Sequence, residues 1–216
     1  MDFEAFRKNI KYIPSKQKNT NNKSGYYTKA LYKSELDRYD NTLNLANKLL
    51  QRDSFYIPNF FCEINDKTIF DKLKKDLDSN GKMISWSKHF KHEDPSFSET
   101  FNDIINKMAD YFKVKVLVTR LNYYPNGDSW KPMHKDKNAH SNDCEEDFTM
   151  GASFGASRIL EFKHDSSEKT FKFPQNNGDI FAFSKDINMN FIHGVPKASD
   201  LVGPRFSVIA WGKKII

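Results

Sequence analysis

The second half of the chain is a succession of short strand-like segments, and this pattern constrains the fold more than any other feature. From residue 114 onward, apolar and polar residues alternate with the period of a strand, and Gly, Pro, Asn and Asp mark the turns between segments. The predicted strands cover residues 115–124, 132–136, 148–154, 157–164, 169–173, 178–183, 189–195 and 204–212. A run of this kind argues for a barrel of short strands.

Helical patterns precede these strands. Apolar spacing predicts one or two helices within residues 29–52, a helix over 66–78 and an amphipathic helix over 99–112. Helices that come first and a run of strands that follows favour the α+β class. We therefore predict a double-stranded β-helix (jelly-roll) barrel with N-terminal helices packed outside it.

Two residues of metal-ligating type share one predicted strand. His134 and Asp136 follow the strand 115–124 and a turn at residues 125–128. Because side chains alternate along a strand, residues two apart point to the same side of the sheet, and both can reach one metal ion. A His-x-Asp tripeptide is common by chance, and the alternative is that His134 is a surface histidine.

His193 supplies a third residue of this type. It lies in the predicted strand 189–195, which Gly194 and Pro196 end. Two imidazoles and one carboxylate on one face form the facial triad of non-haem Fe(II) oxygenases, which leaves coordination positions open. Ligands that are distant in sequence suit a double-stranded barrel whose metal site draws on different strands. The alternative for His193 is an ordinary core or turn histidine.

Arg205 opens the predicted strand 204–212, where a guanidinium is costly unless an anion pairs with it. A dicarboxylate cosubstrate is a natural bidentate partner for it. Asn122 and Tyr124 lie two apart on the strand that leads to the triad, so both can face the same pocket and hydrogen-bond that anion. The alternatives are a surface salt bridge for Arg205 and an ordinary strand face for the other two. Together these residues favour a 2-oxoglutarate site.

These motifs together resemble the AlkB family of Fe(II)- and 2-oxoglutarate-dependent dioxygenases. The similarity spans about residues 54–214. We therefore divide the chain into an N-terminal extension at 1–53, with a basic flexible arm and a helix, and a dioxygenase domain at 54–216. The stretches that carry the resemblance are residues 55–61, 122–124, 134–136, 153–158, 178–179, 193–194 and 204–205.

The resemblance implies a reaction and a role for each site residue. His134, Asp136 and His193 would hold Fe(II), while Arg205 and Tyr124 would grip the distal carboxylate of 2-oxoglutarate. With O2 as the other cosubstrate, the enzyme would oxidise a substrate C–H bond and produce succinate and CO2. A methyl group on nitrogen would be released as formaldehyde.

Two positions depart from the family's pattern. The family usually has a second Arg six residues after the first, and Trp211 stands there in this chain. Many nucleobase-repair members have an acidic residue two positions after the metal Asp, where it helps to hold the damaged base. In this chain Asn138 stands at that position and is a candidate for substrate contact. An indole can pack or donate one hydrogen bond but cannot form an ion pair. Both departures concern recognition and leave the triad intact.

Residues 84–97 and Arg158 are further candidates for substrate contact. The segment mixes aromatic residues with Lys and His, contains a proline, and is predicted to be an irregular loop. In the AlkB family this region covers the substrate, so the resemblance implies that Trp86 and Phe90 stack on an extruded base. The alternative is that the aromatic residues anchor the loop to the core. Arg158 resembles a family position near the mouth of the site, where it would contact substrate or orient Asp136.

Composition and charge are compatible with an intracellular protein of the cytoplasm or nucleus. The sequence has no apolar run long enough for a membrane span or a signal peptide, and Cys62 and Cys144 lie far apart without a CxxC partner. The net charge is +6, and residues 7–24 contain basic residues without any acid. Such an arm is compatible with a nucleic-acid partner, although a solvated tail is the plainer explanation.

Three hypotheses for the function follow. The first is oxidative demethylation of alkylated nucleobases in DNA or RNA. The second is hydroxylation or demethylation of a protein side chain with the same cofactor chemistry, and the third is a non-catalytic nucleic-acid-binding module. A basic entrance beside the iron with exposed aromatic residues would favour the first over the second. An acidic or narrow apolar entrance would reverse that preference.

Overall fold

The structure, a computed structural model, describes residues 49–80, 82–92, 94–136 and 145–215. The predictions for residues 29–48, for the basic arm and for Asn138 and Cys144 lie outside these residues. No helix in the described part of the chain has the length and apolar character to cross a membrane.

In chain order the elements are β1 (Ser54–Ile57), α1 (Thr68–Asn80), β2 (Ile84–Trp86), β3 (His89–His92), α2 (Glu99–Phe112), β4 (Val114–Tyr124), β5 (Lys131–His134), β6 (Phe148–Gly155), β7 (Arg158–His164), β8 (Thr170–Gln175), β9 (Ile180–Ser184), α3 (Lys185–Asn190), β10 (Phe191–Val195) and β11 (Arg205–Lys214).

The strands form two antiparallel sheets. The larger sheet has the order β1-β9-β6-β11-β4-β3-β2, and the smaller sheet has the order β5-β10-β7-β8. Four strands of the larger sheet, β9, β6, β11 and β4, together with the four strands of the smaller one, make up a jelly roll. The predicted fold class is therefore confirmed.

Helices α1 and α2 pack against one face of the larger sheet. The buried residues of α2 are Phe101, Ile104, Ile105, Met108 and Phe112, which share one face of the helix. Ser98 caps this helix, because its Oγ accepts a hydrogen bond of 3.0 Å from the backbone N–H of Phe101. Both helices lie where the apolar spacing predicts them, and they leave the other face of the sheet for the smaller sheet and the site.

A second core fills the space between the sheets, and Phe162 lies at its centre. The ring of Phe162 packs 5.4 Å from the rings of both Phe181 and Phe183, which belong to the larger sheet. It also stacks on the imidazole of His193, with 5.3 Å between ring centroids and 23° between planes. The aromatic core therefore reaches the predicted metal ligand and restricts its ring orientation.

The structure corrects two predictions of local structure. Residues 84–92 form a β-hairpin instead of an irregular loop, with Trp86 paired to His89 and Lys91 paired to Asn122 of β4. Ser87 makes the turn with a φ of 57°. The strands are too short and too polar for alternation to reveal them, and their pairing with β4 stabilises them. The second correction is α3, which occupies the start of the strand predicted over 189–195.

Candidate active site

The structure brings the three predicted metal ligands together. His134 lies at the end of β5, directly opposite His193 on the neighbouring strand β10, and Asp136 follows two residues after His134. The Oδ1 atom of Asp136 is 3.4 Å from Nε2 of His134 and 3.6 Å from Nε2 of His193. All three ligand atoms lie within 4.8 Å of one another, which is close enough for one metal ion to bind them all.

The hydrogen bond of His134 determines which of its nitrogens can bind the metal. Its Nδ1 lies 2.9 Å from the carbonyl oxygen of Pro132. A carbonyl oxygen can only accept, so Nδ1 carries the proton and donates it. The lone pair of His134 is then on Nε2, which faces Asp136. This is the tautomer that a metal requires, held by a main-chain partner.

Asp136 is held through both its side chain and its backbone. The indole Nε1 of Trp211 donates a 3.0 Å hydrogen bond to Oδ2, which leaves Oδ1 directed to the histidines. The side-chain amide of buried Asn188 accepts from the Asp136 backbone N–H at 2.9 Å and donates to its carbonyl at 3.1 Å. Trp211 therefore positions the metal carboxylate from the place where the AlkB family has its second Arg. Asn188 had no signal in the sequence.

The carboxyl group of Asp136 is ionised in this environment. Burial alone raises its pKa, but the neighbouring imidazoles of His193 and His134 and the hydrogen bond from Trp211 together lower the pKa far below its usual range. An anionic oxygen beside two imidazole nitrogens is a donor set that suits Fe(II).

Arg205 lies on the same side of the larger sheet, at the start of β11. It is directly opposite Tyr124 on β4 and is only 1% exposed. Its Nε donates a 2.8 Å hydrogen bond to Oγ of Ser153, while its Nη1 has no hydrogen-bond partner among the described residues. Burial lowers the pKa of Arg205 to about 10, so it remains protonated at neutral pH. A buried guanidinium with a spare donor fits a carboxylate of 2-oxoglutarate.

Tyr124 and Asn122 stand beside this guanidinium. Both are buried, and the guanidinium carbon of Arg205 lies 5.2 Å from the Tyr124 ring centroid. Burial raises the pKa of Tyr124, so its hydroxyl keeps a proton that it can donate to an anion. His89, for which sequence reasoning found no role, stacks on Tyr124 at 5.0 Å and 11°. Its Nε2 lies 3.3 Å from Oδ1 of Asn122.

One cavity connects the triad with these groups. It has a volume of about 660 Å³, including its open mouth, and the triad, Arg205, Asn122 and Tyr124 all line it. Arg120 and Lys131 line it as well, and both are half-buried. The cavity therefore contains a metal-binding donor set, a buried cation for a dicarboxylate and two further cations that sequence reasoning did not single out.

The two aromatic candidates of the hairpin lie on opposite faces of the sheet. His89 and Lys91 are buried on the cavity side, so Phe90 between them points to the other side, where it is paired with Tyr123. Phe90 is therefore not placed to stack on a substrate at the triad. Trp86 is paired with His89 and shares its face, and Trp86 is 44% exposed. Asn138, another candidate for substrate contact, lies outside the described residues.

Arg158 holds two loops of the site together. It is 4% exposed, and its guanidinium donates to the carbonyl oxygens of Asn126, Ser129 and Pro196 at 3.3, 2.8 and 2.6 Å. The hydrogen bonds to Asp136 come from Trp211 and Asn188. Sequence reasoning could not foresee this arrangement, since the carbonyl partners are far away in the chain.

Two facing sheets with a two-histidine, one-carboxylate triad between them define the class of non-haem iron oxygenases. Within that class, the chain belongs to the 2OG-Fe(II) oxygenase superfamily, whose sequence profile matches residues 41–208. It is a 2-oxoglutarate-dependent dioxygenase, and its cofactor and cosubstrate are Fe(II) and 2-oxoglutarate. No curated protein matches the chain in sequence.

Solved structures that are similar to this fold include an ALKBH1 and two prolyl hydroxylases. The structure of OsALKBH1 matches with a TM-score of 0.54 and 12% identity over 74% of this chain and 97% of that one. A prolyl hydroxylase from Trichoplax adhaerens, in complex with a hypoxia inducible factor peptide fragment, matches with a TM-score of 0.57 and 13% identity over 79% and 90%. A Pseudomonas putida prolyl-4-hydroxylase matches with a TM-score of 0.53 and 11% identity over 80% and 98%. At these identities the likeness concerns the fold.

His89 predicts an acid-sensitive step in stability. Burial is the main cause that lowers its pKa from 6.5 to about 4, and nearby Lys131 adds to the shift. Between these two pH values the unfolded chain binds a proton that the folded chain does not. The free energy of unfolding should therefore fall by up to about 3 kcal/mol as the pH falls from 6.5 towards 4.

The measurement is urea unfolding across this pH range for the wild type and His89→Gln, which cannot titrate but can still bond Asn122. His92→Gln, in the same hairpin, is the matched control. We expect a flatter pH dependence for His89→Gln than for the wild type or for His92→Gln. Equal slopes for the wild type and His89→Gln would contradict the prediction.

Proposed function

We propose that this enzyme oxidatively demethylates alkylated nucleobases in DNA or RNA. The observation that carries the proposal is a group of three residues that we call the entrance wall: Trp86 and Lys91 of the hairpin, and Lys131, which lines the cavity. The Nζ of Lys91 lies 3.6 Å from the centroid of the Trp86 indole, and the Nζ of Lys131 lies 6.0 Å from it. An exposed indole with two lysines beside it suits a stacked base whose flanking phosphates are negative.

The residues of the cavity have distinct tasks in this proposal. His134, Asp136 and His193 hold the metal, while Arg205, Tyr124 and Asn122 bind the cosubstrate and keep its orientation. When bound, Fe(II) and 2-oxoglutarate supply the oxidation of a substrate C–H bond by O2. One oxygen atom enters succinate as CO2 leaves, and the other hydroxylates the N-methyl carbon. The N–C bond then breaks, and formaldehyde and the N–H base are released.

Oxidation of a protein side chain is the competing function. Two of the similar structures are prolyl hydroxylases, and at 13% and 11% identity they share the fold with this chain. An acidic or narrow apolar entrance would favour a peptide, whereas this entrance combines an exposed indole with lysines. The charge of the entrance wall therefore supports the nucleobase over the peptide.

The test is succinate and formaldehyde production after anaerobic loading with Fe(II) and exposure to air. N-methylated and unmethylated oligonucleotides are compared for the wild type, Trp86→Ala and Phe90→Ala. Phe90 is the matched control, because it is an exposed aromatic residue of the same hairpin on the opposite face. We expect formaldehyde from methylated oligonucleotides only, and a rise in KM of about tenfold in Trp86→Ala, since base stacking contributes about 1–3 kcal/mol.

Phe90→Ala should keep the KM of the wild type. Succinate production that ignores every oligonucleotide but rises with a peptide library would overturn the proposal in favour of a protein substrate. An equal loss of oligonucleotide turnover in Trp86→Ala and Phe90→Ala would remove the entrance wall from the argument.

A further inference from the structure

The entrance is more positive than the bound cofactors require. Arg120 of β4 and Lys131 of β5 both line the cavity, and Lys91 of β3 adds a third cation against the Trp86 ring. Burial is the main cause that lowers the pKa of Lys131; the charge of Arg120 lowers it further, Asp136 raises it, and Lys91 lowers it. Lys131 is therefore close enough to Arg120 and Lys91 to be repelled by both.

The charges deeper in the cavity balance without these cations. Asp136 is the one acidic residue among the described residues that line the cavity. When the cofactors are bound, the two positive charges of Fe(II) and the one of Arg205 match the single negative charge of Asp136 and the two of 2-oxoglutarate. Arg120 and Lys131 then contribute a positive field at the place where the substrate enters.

The indole of Trp86 adds a preference of its own. Lys91 Nζ lies 3.6 Å from its centroid and so occupies one of its two faces. A cation on one face already engages the negative quadrupole of the ring. A base that stacks on this indole therefore meets the fields of both Lys91 and Lys131, which disfavour a cationic base and not a neutral one.

We infer that this site selects neutral N-methylated bases over cationic ones, and that Lys131 and Arg120 receive the phosphate that flanks the base. The inference rests on the proposed function and names the substrate class of the same site. Unit charges about 10 Å apart in a partly buried site interact strongly enough to change kcat/KM on the order of tenfold.

The experiment uses two bases that differ in charge but carry the methyl group on the same ring nitrogen. These are 3-methylcytosine, a cation at neutral pH, and 3-methyluracil, which is neutral, each placed in the same RNA oligonucleotide. Formaldehyde release gives kcat/KM for each base, and 3-methylcytosine and 3-methylthymine in DNA repeat the comparison. We expect the wild type to prefer the neutral base by about tenfold or more.

Variants of the two cavity cations test the cause of this preference. Lys131→Gln and Arg120→Gln should each reduce the preference for the neutral base several-fold, and Lys131→Glu should reverse that preference. Lys72→Gln, which changes an exposed lysine on α1 at the helix side of the larger sheet, is the matched control and should keep it. The affinity of the Mn(II)-loaded, oxygen-free protein for a labelled oligonucleotide, measured by fluorescence anisotropy, should fall in Lys131→Gln and Arg120→Gln but not in Lys72→Gln.

The outcomes separate this inference from the proposed function. Preference of the wild type for 3-methylcytosine, or a preference that survives in Lys131→Glu, overturns the inference and leaves nucleobase demethylation standing. Formaldehyde from neither base above the unmethylated control overturns both.

Discussion

Replacing Arg205 by methionine is expected to raise the 2-oxoglutarate concentration for half-maximal succinate production by about a hundredfold or more. The reason is that Nη1 of Arg205 is a buried donor without a hydrogen-bond partner among the described residues, and the residue is 1% exposed. Methionine fills a similar volume but offers the cosubstrate neither charge nor donor. The carboxylate of 2-oxoglutarate would then be buried without its cationic partner, which costs several kcal/mol.

The same substitution should leave the protein folded. A buried guanidinium has a large desolvation cost, so an apolar replacement of similar size is often neutral or stabilising. We therefore expect an unchanged or higher Tm together with the weaker cosubstrate binding. Arg205→Lys should give an intermediate KM, because a lysine keeps the charge but not the planar pair of donors.

Arg52→Met provides the matched control. Arg52 pairs with Asp53 and Asp186 at the surface, with 58% of its side chain exposed, and its loss should change neither the KM for 2-oxoglutarate nor the turnover. A wild-type KM for 2-oxoglutarate in Arg205→Met would refute the assignment of this residue to the cosubstrate.

The second large effect concerns Asp136→Asn, which should lower the affinity for Fe(II) by about a hundredfold or more. The substitution removes the negative charge and keeps the shape. The N–H of Trp211 still needs an acceptor, so the carboxamide oxygen should turn towards the indole. The NH2 group, which cannot bind a metal, would then face His134 and His193. The orientation of the carboxamide thus lowers the metal affinity further, beyond the effect of the lost negative charge.

Anaerobic titration with Fe(II) or Co(II), followed by calorimetry or by the absorption of the Co(II) form, measures this affinity. Asp165→Asn is the control, since Asp165 is an exposed carboxylate that pairs with Lys135, next to Asp136 in the chain. We expect Asp165→Asn to keep both the metal affinity and the turnover of the wild type. Retention of metal binding by Asp136→Asn would show that the carboxylate is not a ligand.

Much of this site could be predicted because its signals are local in sequence. Alternation along a strand placed Asn122 with Tyr124, since residues two apart share a face. It also placed His134 with Asp136, although β5 ends at His134 and Asp136 follows it outside the strand. The buried setting of Arg205 followed from the apolar strand that it opens. Each of these inferences needs only a short segment and a known period, and the structure places all of these residues around one cavity.

The remaining features depend on contacts between distant residues. Asn188 holds the backbone of Asp136 across 52 positions of the chain, and Ser153 contacts Arg205 across the same separation. Hairpin β2–β3 was missed because its pairing with β4, and not its own pattern, stabilises it. Trp211 was recognised as a departure from the AlkB pattern, but only the structure shows that its N–H contacts the metal carboxylate.

The stacking of His89 on Tyr124 has a consequence for the strength of ligand binding. His89 belongs to the same hairpin as Trp86, so the hairpin that carries the proposed substrate contact also touches Tyr124, a residue proposed to hold 2-oxoglutarate. A ligand that shifts this hairpin changes the free energy of the other binding event. Because such coupling is reciprocal, any factor by which 2-oxoglutarate tightens substrate binding must equal the factor by which substrate tightens 2-oxoglutarate binding.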